Sequence, residues 1–160
     1  MSIGREYSAE LNLSTAITAQ VDIFEILAAA GKPLALLGFS LYQTSETGDA
    51  QEEQLELVLK YVTGAPTSGS GGGTSTFRPK YPNDTTAGAT IETGNTTKLT
   101  GGTSVNLARF SWNVRGELPY VPIGKPHVCA ADEQIVLELV KTPADQIDKI
   151  VGWVEIAELV

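Results

Sequence analysis

The sequence is poor in the residues from which most small active sites are built. It holds one cysteine, one histidine and one methionine in 160 residues. A single cysteine, Cys129, excludes an intramolecular disulfide, so stability has to come from packing or association. One histidine and one cysteine cannot make a thiolate–imidazole zinc site within one chain. A histidine-based triad would need a serine and an acid gathered around His127, and no Gly-x-Ser-x-Gly nucleophile turn occurs. Positive charge is also scarce: 11 Lys and Arg stand against 19 Asp and Glu, for a net charge of −8. Such a chain repels phosphate backbones and anionic lipid, which argues against direct contact with nucleic acid. No apolar run approaches the roughly 20 residues of a membrane-spanning helix. Residues 1–13 lack the apolar centre of a secretory signal. These absences point to a protein made in a cytoplasm and not inserted in a membrane. The Asn-x-Ser/Thr triplets at Asn12, Asn83 and Asn95 then read as chance matches.

What is present is apolar sequence at a globular level, 42%, enough for one domain with a real core. Two runs dominate, 33–43 and 54–63. In the second, Leu55, Leu57, Leu59 and Tyr61 fall on one side, with Glu56 and Lys60 on the other. That period of two marks a strand with one buried face. The first run is apolar on both sides, which places a strand near the centre of the fold. The polar residues 44–53, with Gly48-Asp49, form an acidic turn between them. The pair reads as a long antiparallel hairpin. A helix is the rival over 54–63, because Leu55, Val58, Leu59 and Val62 also make a helical stripe with Asp49 as N-cap. Val58, Tyr61, Val62 and Thr63 are strand-favouring types.

Further short strands fall at 13–20, 23–27, 87–93, 98–100, 103–112, 114–121, 134–141 and 147–159, with Pro119 marking an edge or bulge. This spacing predicts an all-β fold, an antiparallel β-sandwich of jelly-roll type. Residues 13–160 form one domain, and residues 1–12 read as a mobile N-terminal arm carrying Ile3 and Tyr7 as isolated anchors. The Gly/Ser-rich stretch 64–84 reads as a long flexible loop. Within it Phe77, Arg78, Lys80 and Tyr81 lie among prolines, extended and cationic in an acidic protein. Ile3, Tyr7, Phe77, Arg78, Lys80 and Tyr81 are therefore the candidate partner contacts. The alternative is that the arm frays and that Phe77 and Tyr81 tie the loop to their own domain.

No catalytic, cofactor-binding or metal-binding set is expected. The glycines at 69–73 run into Thr74-Ser75 rather than the Lys-Ser/Thr of a phosphate loop. Glu46, Asp49, Glu52 and Glu53 lack calcium-loop spacing. Trp112, Tyr120 and Trp153 are either sugar-stacking platforms or core aromatics.

Several segments together carry a resemblance: Asp22-Ile-Phe-Glu-Ile, Thr44-Ser-Glu-Thr-Gly-Asp-Ala, Thr67-Ser-Gly-Ser-Gly-Gly, Asn95-Thr-Thr, Phe110-Ser-Trp-Asn-Val-Arg and Pro143-Ala-Asp. Over residues 21–158 the chain resembles a group of small virion proteins of tailed bacteriophages. The resemblance implies a structural component of the virion, made in the host bacterial cytoplasm. It implies a capsid decoration or cement protein that stabilises the head through contacts with the major capsid protein or other virion proteins. By analogy it also implies a homotrimer. The alternative is a carbohydrate- or receptor-binding sandwich of a phage tail or fibre. The shared segments are turns and strand ends, so no functional residue comes with them.

Overall fold

The structure, a computed structural model, describes residues 4–13, 15–44 and 53–159. In chain order the strands are β1 (Arg5–Leu13), β2 (Asp22–Leu27), β3 (Leu34–Gln43), β4 (Gln54–Thr63), β5 (Gly73–Ser75) and β6 (Arg78–Pro79). They continue with β7 (Thr90–Asn95), β8 (Thr103–Asn113), β9 (Leu118–Tyr120), β10 (His127–Cys129), β11 (Gln134–Leu139) and β12 (Ile150–Glu158). The described residues contain no helix, so the helical reading of 54–63 is set aside.

The strands form two sheets whose neighbours all pair antiparallel. The first runs β10-β3-β12-β1-β6, with β9 also beside β3; the second runs β5-β7-β2-β11-β4-β8. Strands β1 to β4 alternate between the sheets, and the nested orders β1-β12-β3-β9 and β2-β11-β4-β8 are those of a jelly roll. Between the sheets lies one apolar core, in which Tyr7, Leu11, Phe39 and Val154 of the first sheet join Phe24, Leu57, Leu59 and Leu137 of the second.

The winding corrects the expected hairpin. Runs 33–43 and 54–63 are both strands, but they lie in opposite sheets: β3 pairs with β12, β10 and β9, and β4 with β11 and β8. Each has an apolar inner face, and the connection between them is long enough to cross the sandwich instead of folding back. The expected acidic turn falls mostly on residues 45–52, outside the described residues.

The expected arm is corrected as well. Residues 5–13 form β1, paired along its whole length with β12 from Arg5↔Glu158 to Leu13↔Ile150. Its inward side chains are Tyr7, Ala9, Leu11 and Leu13, all buried, while Ser8, Glu10 and Asn12 alternate outward.

The expected flexible loop at 64–84 is the third correction. Residues 73–75 pair with β7, Arg78-Pro79 pairs with β1, and bridges join Thr67 to Thr100 and Ser70 to Thr97. Gly69 and Gly72 let the backbone approach its neighbours closely. A Cβ at Gly69 would lie 2.2 Å from the Thr97 carbonyl oxygen, and one at Gly72 2.2 Å from that of Thr93. The glycines here serve contact more than freedom.

Candidate interaction surfaces

The two outer faces of the sandwich differ. The second sheet is roofed by segments 64–72 and 95–102, so Val58 and Val62 are buried on its outer side. Under that roof lies a layer of polar groups. Glu25 accepts hydrogen bonds from the Gly69 amide and the Asn95 side chain, each at 2.8 Å. Asp22 accepts from the Leu99 amide at 2.9 Å. Gln134 donates to the Ser68 hydroxyl at 2.9 Å. Lys60 binds Glu138 at 2.7 Å, and Lys98 binds the same carboxylate. Burial alone would raise the Glu138 carboxyl, but the hydrogen bonds from Lys60 and Lys98 outweigh it and hold it below the usual range. At Asp22 burial outweighs the Leu99 amide bond and the Lys60 charge, both of which lower the carboxyl. Burial, with the neighbouring Glu25 carboxyl adding to it, pushes Asp22 up to about 7. Its Oδ1 has no hydrogen-bond partner.

The outer face of the first sheet is only partly covered: Ala35, Ser40 and Ala157 are buried there, whereas other side chains are exposed. Along its outer face Trp153 of β12 stands opposite Ser40 of β3 and Glu10 of β1, and Tyr42 of β3 stands opposite Val151. Trp153 and Tyr42 are therefore diagonal neighbours on adjacent strands, within reach of one another for aromatic side chains. Both are 37% exposed. Ser40 and Tyr42 donate to one oxygen of Glu117 at 2.7 and 2.8 Å, and these bonds, Ser40 first, hold the Glu117 carboxyl below its ordinary range. A shallow open groove beside Trp153 is lined by Ser8, Glu10, Ser75 and Arg78.

A second exposed apolar group lies on the flank of the sandwich, where β9 and β10 end the first sheet and β8 ends the second. Here Phe39, Phe110 and Tyr120 pack ring to ring, with centroids 5.1 to 5.8 Å apart, and the His127 ring lies parallel to Tyr120 with centroids 6.3 Å apart. Val128, opposite Ala35, and Val121, beside Gly38, are well exposed on the outer side of the first sheet, and Ile123 between them in the chain is fully exposed. The connecting loop, 121–126, carries Lys125 and no carboxylate. Strand β8 has one neighbour only, and Val105 near its start is 40% exposed.

Of the six expected contact residues, Ile3 lies outside the described residues. Tyr7 and Phe77 belong to the core, with the Tyr7 hydroxyl donating to the Thr85 carbonyl at 3.1 Å. Neither can touch a partner, because an aromatic ring in a short polar segment was drawn inward once that segment paired as a strand or a strand corner. Arg78 and Lys80 are exposed at the β6 edge. Lys80 is already engaged by Glu155 at 2.7 Å and Glu6 at 3.6 Å, and the Glu155 bond chiefly raises its ammonium above the usual value. Tyr81 is the one aromatic of the set left at the surface.

Among the three candidate stacking aromatics, Trp112 is buried, with its indole N–H donating to the Gly116 carbonyl at 2.8 Å. Tyr120 is half-buried in the flank cluster, and only Trp153 is exposed. The platform partner that sequence reading missed is Tyr42; its signal was the terminal outward position of the 33–43 run.

His127 Nε2 shares a 2.7 Å hydrogen bond with the Tyr120 hydroxyl, whose own proton affinity is raised by burial. Burial also pushes the Cys129 thiol up to about 12, far from the thiolate a nucleophile or metal ligand needs. Among the described residues no group of three or more His, Cys, Asp or Glu side chains is placed to hold a metal ion, and no helix is long and apolar enough to cross a membrane. No family model matches the chain, and neither the curated proteins nor the solved structures include one significantly similar to it.

Proposed function

We propose that this protein is a structural component of a tailed-bacteriophage virion, a homo-oligomeric capsid decoration or cement protein that acts by adhesion. The observation that carries the reading is the division of the surface: one sheet face is roofed, while the outer face of the other sheet, out to its β9–β10 edge, presents exposed apolar side chains. Exposed apolar groups rimmed by polar ones mark sites of protein–protein contact. The reading is non-enzymatic. It is supported by a histidine bonded to a tyrosine hydroxyl in the flank cluster and by a thiol held protonated through burial.

The partner is the major capsid protein or another virion protein, and the protein would reach the particle from the host cytoplasm. The test is sedimentation of purified protein with heads of the encoding phage that lack it, followed by electron microscopy of the decorated particle. Regular added density on the head surface is the expected result; protein left in the supernatant at every ratio removes the reading. A second reading, a glycan-binding module of a tail or fibre, is favoured by the Trp153–Tyr42 pair, since flat exposed rings stack on sugar faces. Density at the tail together with binding to host-surface oligosaccharide would select it.

A further inference from the structure

We propose that the free edge of β8 takes up an extended segment of another protein, which joins the second sheet as a further strand. The inference goes beyond the reading above, since it concerns a backbone edge and holds whether or not the protein sits on a capsid.

The two flanks of the sandwich are closed differently. On one, residues 73–79 pass from β5 in the second sheet to β6 in the first. Phe77 of that passage is buried in the core, and the Ser75 hydroxyl donates to the Glu10 carbonyl at 2.7 Å. On the other flank the chain crosses at 114–117, where the Gly116 carbonyl accepts from the Trp112 indole. Away from that crossing the flank opens by degrees. Of the β8 residues turned towards the first sheet, Trp112 is buried, Phe110 and Ala108 are half-buried, and Val105 is exposed. Their cross-strand partners are Leu55, Leu57, Leu59 and Tyr61, the inward row of β4. Leu118 and Tyr120 of β9 are also only partly covered. The core therefore lacks along β8 the kind of cover that residues 73–79 give it on the opposite side.

The backbone of β8 is open along the same line. Among the described residues it is the longest strand, with 11 residues, and it pairs with β4 alone. The other strands at the sheet edges, β5, β6, β9 and β10, have two or three residues each. Edges that stay single are short, or carry proline or inward charge. Strand β8 has no proline, and its one charged residue, Arg109, lies on the outer face, paired with Glu56. A row of amides and carbonyls at strand spacing is matched by another strand. A segment of about seven residues covers 104–110 at strand rise. Its side chains have to alternate, apolar towards Val105, Ala108 and Phe110 and polar towards the exposed Asn106 and Arg109. The one guard on this edge is a bulge at Leu107, which has no partner on β4. A bulge adds twist, which deters a second long strand, such as β8 of another copy, and leaves room for a short one.

The test uses the full-length protein and the end-blocked peptide Lys-Val-Thr-Val-Thr-Val-Lys at millimolar concentration. Hydrogen exchange followed by NMR reads the β8 amides singly. The peptide should slow exchange of alternate amides within 104–110 by about tenfold or more. Two N-methylated peptides, one methylated at the valines and one at the threonines, supply the control. Only one of the two sets of amides faces β8, so one peptide should lose the effect and the other keep it. The same behaviour from both, or protection elsewhere than β8, overturns the inference. Val105→Lys sets a charge on the inward side of the edge and should abolish the protection while leaving the melting temperature unchanged. Val121→Lys, on the outer face of the first sheet, should leave the protection intact; the reverse pattern also overturns the inference. A protein that dimerises without peptide, with β8 already protected, gives the edge to a second copy and overturns it too. Attachment to heads is read separately. Protection of β8 without head binding removes the capsid reading alone, and head binding without protection removes the added strand alone.

Discussion

At Asp22 the chain keeps a carboxyl where water does not reach it. The residue is fully buried, its Oδ1 lacks a partner, and Glu25, Glu138, Lys60, Lys98 and Glu92 are the charged groups of the surrounding layer. An unfolded chain releases this proton near the ordinary aspartate value of 3.8, whereas the folded protein holds it up to about 7. Stability carried by the proton is complete below the lower value. It is lost as pH rises through the window and then levels off. Glu138 acts with the opposite sign: its depressed carboxyl adds stability above the ordinary glutamate range, lost as pH falls into the acid. An Asp22→Asn variant supplies a neutral donor in place of the protonated acid and can still accept from the Leu99 amide. Urea unfolding at about pH 5 and about pH 8 should show the parent weakening between the two, and the variant losing most of that slope. An unchanged slope would mean that Asp22 is not the titrating group.

Among the elements, β1 shows what was legible and what was not. The inward series Tyr7, Ala9, Leu11, Leu13 is a clean alternation, yet the sequence reads as divided at residue 12 because Ala9 contributes little hydrophobicity and the outward residues are polar. Strands β2, β3, β4, β8, β11 and β12 could be read because their inward residues are large and branched. The partners of β3 and β4 could not, since alternation shows that a strand has a buried face and not which sheet supplies its neighbour. The roof over the second sheet was hidden for a different reason: glycine that permits close approach looks in sequence like glycine that permits motion. The surface patches were partly visible, as Trp153 was, but burial of Tyr7 and Phe77 depends on the pairing of the segments that hold them. The placement of β1 between β12 and β6 predicts the effect of removing residues 1–12. That deletion exposes the long edge of β12 and opens the core beneath Tyr7 and Leu11, so the domain should fail to fold cooperatively. Loss of the sigmoidal thermal transition by circular dichroism is the expected signal. A truncated protein that melts like the parent would restore the arm.

The whole molecule is organised by pairings between distant parts of the chain, β1 with β12, β2 with β11 and β3 with β12. Closing such loops costs entropy before any contact repays it, so refolding should be slow, in the millisecond-to-second range or beyond. Stopped-flow fluorescence should follow it through Trp112, which passes from solvent to core. A phase complete within microseconds would contradict this topology. The antiparallel register of the outermost strands of the sequence has one more consequence. Arg5 stands directly across from Glu158, so whatever is spliced to either extremity leaves from a single corner. A short peptide joining those extremities, with new ends cut at Gly101-Gly102, would give a circular permutant with every strand intact.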